Sequence, residues 1–166
     1  PKSPHAAEAW MRVGEYHFDY GEFRIAKRAY LKAARYKKSK FYDMVLYKLG
    51  WTYFQMFEYD RAIAGFKRLL AHYDELGGAE KSGLGLGTAL RKEAIDYLAR
   101  SLAEDDWDGN GDKDANAGVA RALSYLNEGK KFEIEILEAY ATALYELHEK
   151  AKYSEAAEVY RTLIQR

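Results

Sequence analysis

The stretch Asp106-Trp107-Asp108-Gly109-Asn110-Gly111-Asp112-Lys113-Asp114 sets a carboxylate or amide oxygen at every other residue. Hard cations take such ligands. A short loop presenting Asp106, Asp108, Asn110, Asp112 and Asp114 can wrap its oxygens and one backbone carbonyl around Ca2+, and Gly111 permits the sharp turn. The same residue types favour turns for local reasons, because Asp and Asn side chains bond their own backbone and Gly accepts positive φ. Two readings stand side by side: a structural calcium loop, or an exposed acidic turn joining two helices. Neither gives the segment a catalytic part.

No other group of residues assembles into a reactive site. His5, His17, His72 and His148 are scattered, and none makes a metal-ligand pair on one helix face. Without cysteine there is no disulfide, thiol nucleophile or thiolate metal site. No Gly-x-Ser-x-Gly elbow accompanies the few serines. Glu133, Glu135 and Glu138 are close in sequence but read as the solvated face of a helix. Residues 76–88 hold Gly77, Gly78, Gly83, Gly85 and Gly87. They lack the Gly-Lys-Ser/Thr order and the preceding strand of a phosphate-binding loop, so they read as a flexible connector. The expectation is a protein without catalysis, without a required cofactor and without a small-molecule substrate.

Composition bounds the partners. Lysine plus arginine equals aspartate plus glutamate at 26 each, so no global field draws the chain toward nucleic acid or an anionic membrane. Recognition of charge must be local. With 166 residues and 48% apolar content the chain can bury one core or one short repeat array. No apolar run approaches the roughly 20 residues that span a bilayer.

The elements that would carry these residues are helices. Both prolines, Pro1 and Pro4, precede the first apolar stretch, and apolar residues recur at three- and four-residue steps instead of alternating. Laying residues 7–35 over residues 43–71, a shift of 36, reveals an internal repeat. Trp10, Val13, Gly14, His17 and Phe18 fall on Leu46, Leu49, Gly50, Tyr53 and Phe54, while Phe23, Ala26, Tyr30 and Ala33 fall on Tyr59, Ala62, Phe66 and Leu69. The small residues let two helix backbones approach, and the large ones fill the gaps between hairpins.

On these residues the sequence resembles the tetratricopeptide repeat family, whose pattern is a large residue, then leucine-glycine, an aromatic, and later alanine, aromatic and alanine. The resemblance implies an all-α, tetratricopeptide-like α-solenoid of antiparallel helix hairpins with about four repeats, the third divergent. Residues 6–40 and 42–76 form the first two and residues 77–88 the connector. Residues 89–128 form the divergent third, with the acidic loop at 105–116, and residues 132–166 the fourth. In the third, Leu90 to Glu104 and Val119 to Leu126 read as helices, with Ile95, Leu98, Ala99 and Leu102 in register. In the fourth, Leu137, Ala141, Leu144 and Tyr145 match the first helix, while Tyr153, Ala156, Tyr160 and Leu163 match the second three residues out of step. A longer turn near Glu149 to Lys152 is expected to absorb the difference.

Members of this family bind other proteins on a concave surface lined by the first helix of each pair. Carried over residue by residue, the resemblance points to Met11, Glu15, Phe18, Met44, Tyr47, Trp51, Phe54, Glu138 and Tyr145. Tyr47, Trp51 and Phe54 would form an exposed aromatic platform with acidic neighbours, suited to an extended or helical segment with apolar anchors and some Lys or Arg. Arg24, Lys27, Arg28, Lys32, Arg35, Lys37, Lys38 and Lys40 cluster largely on the second helix of repeat one and read as solvated. An alternative gives them to anionic lipid, in peripheral membrane contact, to an acidic protein, or to nucleic acid, which the balanced charge disfavours.

The acidic loop resembles EF-hand, dockerin and thrombospondin-type calcium loops. It departs at Ala117, where an EF-hand carries a bidentate glutamate, which implies weak affinity. Residues 46–70 also resemble repeats of bacterial envelope lipoproteins, which suggests a periplasmic or cell-envelope adaptor, with a cytoplasmic adaptor as the alternative. Pro1 begins without a methionine and Arg166 ends within a helical pattern, so the chain reads as part of a longer one.

Overall fold

The three- and four-residue apolar spacing becomes eight α-helices in a computed structural model that describes residues 5–165; Pro1, Pro4 and Arg166 lie outside the described residues. They are α1 (Ala6–Asp19), α2 (Phe23–Ala33), α3 (Tyr42–Gln55), α4 (Tyr59–Leu76), α5 (Gly87–Ala103), α6 (Val119–Ser124), α7 (Phe132–Glu146) and α8 (Lys150–Gln165). No strand occurs among the described residues. Helices α1 and α2, α3 and α4, and α7 and α8 pack as hairpins, α3 also meets α2 and α5, and α5 also meets α4 and α7. The architecture is the expected all-α, tetratricopeptide-like stack. No described helix is long and apolar enough to cross a membrane.

Within each regular hairpin, glycine lets the two helices touch. Tyr30 and Phe66 are both 0% exposed, and their rings lie against Gly14 and Gly50. Burying each ring contributes about 2–3 kcal/mol. Trp10 is half-buried under the Lys32 ammonium, 3.9 Å from the ring centre.

The turn between paired helices is three residues long in the first, second and fourth hairpins, at 20–22, 56–58 and 147–149. Gly21, Phe57 and His148 occupy one equivalent position at φ 73°, 59° and 56°. The next amide donates back into the helix, from Glu22 to the His17 carbonyl at 2.8 Å and from Glu58 to the Tyr53 carbonyl at 3.0 Å. This is a left-handed helix stop. The expected longer turn before the last helix is therefore absent.

What differs in the fourth hairpin is helix rotation. α8 buries Lys152, Ala156 and Val159, while Tyr153 and Tyr160 stay 39% and 45% exposed. The match of those tyrosines to the second-helix pattern does not bury them: α8 presents the neighbouring stripe, with Lys152 reaching inward to Asp105 at 2.7 Å.

The expected third hairpin is not formed: α6 has six residues and packs on α8, while α5 packs on α4 and α7. Trp107, 4% exposed, inserts into the main core cluster alongside Leu102, Val119 and Tyr140. Residues 77–86 join α4 to α5. A 3-10 turn, Ala79–Lys81, packs against α4 and α5, and Ala79 and Ser82 are buried.

Candidate functional site

The first helices of successive hairpins share one face, and a row of aromatic rings crosses it. Phe18 of α1 lies 4.6 Å from Trp51 of α3, and Trp51 lies 6.3 Å from Tyr97 of α5. Tyr47 stacks beneath Trp51 at 6.2 Å, and Phe54 meets the edge of Tyr97 at 5.0 Å. Phe18, Trp51, Phe54 and Tyr97 are each half-buried, and the Trp51 indole nitrogen is buried without a hydrogen-bond partner. Lys48 bridges the row, its ammonium 3.8 Å from the Glu15 carboxylate and 5.7 Å from the Trp51 ring centre. Helices α5 and α7 are pinned by a two-pronged pair in which Arg91 donates to both Glu135 oxygens at 2.7 Å.

Two residues expected on this face lie under it. Met11 is 2% exposed, packed with Tyr30 and Val45 because α3 closes over that side of α1. Tyr47 is 6% exposed, since α5 crosses it and its hydroxyl donates to Glu93. Burial, reinforced by Glu93, pushes the Tyr47 phenol far above its ordinary range. The exposed three-residue platform is corrected to a half-buried row in which Tyr47 is the support. Met44 is half-buried between both core clusters, and Glu15 is half-buried, with Arg12 donating to it at 2.9 Å. Glu138 is exposed on α7, and Tyr145, 58% exposed, stands 5.1 Å from Tyr153.

Tyr97 joins the row although its sequence neighbours drew the attention. Ile95, Leu98, Ala99 and Leu102 form the buried stripe of α5 as read, and the aromatic inside that stripe's spacing was the available signal. Beside Phe54, the ends of α5 and α7 enclose a cleft of about 350 Å3 walled by Ala103, Ala143 and Leu147, with Glu104, Glu146 and Arg100 on its lining. Burial raises Glu104 above the ordinary carboxylate range, Lys152 opposes this, and Asp105 and Asp106 add to it.

The acidic loop is held mainly by its own donors. Asp106 accepts the amides of Gly109 at 2.8 Å and Gly111 at 2.7 Å. The Gly111 bond is the main reason its carboxyl sits below the usual range. Asp108 accepts from Asn110 at 3.1 Å and Asn110 from Asp112 at 2.8 Å. Asp114 accepts the Trp107 amide at 2.9 Å and the Arg121 guanidinium, which also lies 3.7 Å over the Trp107 ring. One oxygen each from Asp106, Asp108 and Asp114 falls within 4.8 Å of the others, a set with the chemistry for a hard cation. Asp112 is outside that set, and Arg121 already neutralises Asp114. The reading of a wholly exposed acidic turn is corrected at Trp107, the buried root of the loop.

Residues 44–75 match the tetratricopeptide repeat family. The match runs from Met44 in α3 almost to the end of α4 and includes Gly50 against Phe66, so it falls on the hairpin built most regularly. Neither the curated proteins nor the solved structures gave a match. Tetratricopeptide repeats generally mediate protein–protein interaction, in keeping with a scaffold.

Proposed function

We propose that the first-helix face is a binding surface for a segment of another protein, and that the chain acts as a non-catalytic adaptor. The observation that carries this is the row Phe18–Trp51–Tyr97, three half-buried aromatics from three helices with Trp51 meeting the other two. Amphipathic aromatics clustered at a preformed surface dominate binding energy, because they bury much area for little loss of side-chain freedom. The neighbouring carboxylates set the partner's charge. Exposed Glu138 and the Glu104–Glu146 cleft with its apolar walls suit a Lys or Arg whose methylene stem packs while its head meets acid. The guest is an extended or helical segment with an apolar anchor and flanking basic residues. The setting proposed is a bacterial envelope or periplasm, with the cytoplasm as the alternative; fractionation of tagged protein distinguishes them.

A displayed random-peptide library tests the site. Selection on the wild-type protein should enrich an apolar residue flanked by Lys or Arg, and Trp51→Ala should weaken the selected peptides at least about tenfold. Thermal melting of the variant checks that its fold is kept. Peptides that bind wild type and Trp51→Ala equally, or cross-link to α2, α4 or α8, would remove this face from consideration.

A further inference from the structure

The second helix of the first hairpin has a surface that the partner-binding reading leaves unused. Its buried side is Ala26, Ala29, Tyr30 and Ala33. Arg24, Ile25, Arg28, Leu31 and Lys32 lie on the opposite side within an arc of roughly 120°, and Arg35 follows just past the helix end. All six are exposed, and α2 contains no acidic residue. Arg24, Arg28, Arg35, Lys37 and Lys38 make no side-chain hydrogen bond or ion pair among the described residues. Next to this ridge, between α2 and α4, a cleft of about 370 Å3 is lined by apolar Leu31, Leu46 and Leu49 and by Arg61 and Arg68. The charge is concentrated at this end of the chain. The first forty residues hold ten of the 26 Lys and Arg and four of the 26 Asp and Glu.

We propose that this ridge docks on the surface of an anionic phospholipid bilayer. Free cations attract the phosphate-rich interface, Ile25 and Leu31 enter the headgroup boundary, and the adjoining apolar cleft with its arginines suits the same amphiphilic chemistry. The excess of negative charge on the rest of the chain orients the approach, so that this end faces the membrane. Nucleic acid fits less well. The nearby rings Trp10 and Phe41 lie under Lys32 and Lys40, at 3.9 and 5.2 Å, so neither is offered for base stacking. The surface lies on a second helix, apart from the first-helix row, so the protein can hold a guest while it rests on a membrane.

Co-sedimentation of the full chain with vesicles of phosphatidylcholine plus about one-third phosphatidylglycerol tests this. Binding should occur at low salt, fall steeply by about 0.5 M salt, and be absent with phosphatidylcholine alone. Reversing Arg24, Arg28 and Arg35 to Glu should lower partitioning by about 100-fold or more, since each cation near the surface is worth roughly fivefold. The control reverses Lys92, Lys130 and Arg161, three exposed cations elsewhere, and should change it by no more than about twofold if the ridge and not net charge is responsible. The Arg24→Gln, Arg28→Gln, Arg35→Gln variant keeps the test open should reversal disturb folding. Equal losses in the two triple-reversal variants, no partitioning at low salt, or displacement from vesicles by a smaller amount of duplex DNA or polyglutamate would overturn the assignment.

Discussion

The ring of Tyr30 occupies the place that a side chain on Gly14 would need: a β-carbon built there would lie 2.5 Å from Tyr30 Cε1. Gly50 stands in the same relation to Phe66, at 2.8 Å, one repeat further along. Gly50→Ala gains about 1 kcal/mol of helix propensity but forces the ring or the helix aside, which at this closeness costs about 2–3 kcal/mol, the upper part of the overpacking range. A net loss of about 1–2 kcal/mol in urea unfolding is expected, with much of it recovered when Phe66→Leu frees the space. An Ala variant as stable as wild type would mean that the helices do not approach this closely.

Trp107 anchors the segment between α5 and α6 in the main core. It is 4% exposed, lies against Arg121, and packs edge-on to Tyr125 at 5.2 Å. Trp107→Ala should lower stability by about 3–5 kcal/mol, the cost of a large core cavity. Urea unfolding measures it, and a loss below 1 kcal/mol would show that the loop root is not packed in solution.

These two cases mark where the sequence was legible. Gly14, Tyr30, Gly50 and Phe66 recur at one spacing, and repetition is a signal that survives without coordinates. The loop root had no second copy to be compared with, and its alternating oxygens concealed that Trp107 points inward. Tyr47 and Met11 were misplaced because register fixes which helix face a residue shares, while burial on that face depends on how closely α3 and α5 cross it. The rotation of α8 escaped for a related reason. Tyr153 and Tyr160 look like core residues by type, but Lys152 is buried because its partner Asp105 lies 47 residues earlier in the chain.

Phe57 holds a left-handed backbone conformation, φ 59°, that Gly21 supplies without strain in the first hairpin. The conformation costs a side-chain-bearing residue about 1–2 kcal/mol, and glycine gives back about 0.5–1 kcal/mol through greater freedom when unfolded. With its ring 62% exposed, Phe57 has little burial to lose. Phe57→Gly should raise the melting temperature by about 2 °C. A lower melting temperature would mean that the Phe57–Tyr59 contact outweighs the strain.

The acidic loop already fills its oxygens with amide hydrogens and the Arg121 guanidinium. The fold should therefore not depend on an ion, and excess chelator should move the melting temperature by less than about 1 °C. Calcium at about 10 mM would raise it by several degrees only if Asp106, Asp108 and Asp114 hold the ion with millimolar or better affinity. In that event Asp108→Asn should cancel the rise. A large fall in chelator, restored by Ca2+, would make the ion part of the fold.

Lys152 and Asp105 tie α8 to the loop, and their titration gives the tie a pH window. Burial alone would raise Asp105, but hydrogen bonds from Lys152 and Lys113 outweigh it and hold the carboxyl below its ordinary range. Burial would lower Lys152, yet bonding to Asp105 and the nearby Glu155 hold it above its ordinary range. A depressed carboxyl contributes stability that is present above its unfolded value near 4 and is lost as pH falls through the folded one. A raised ammonium contributes stability that is present below its unfolded value near 10 and is lost as pH rises through the folded one. The tie is thus at full strength between about pH 5 and 9. Lys152→Met keeps the buried stem and removes the charge, so it should cost about 1–3 kcal/mol at pH 7, the range for a charge-assisted hydrogen bond. The gap from wild type in urea unfolding should narrow below about pH 4, as Asp105 gains its proton in both proteins. A gap of the same size at pH 3 and pH 7 would assign the loss to packing of α8 and not to the ion pair.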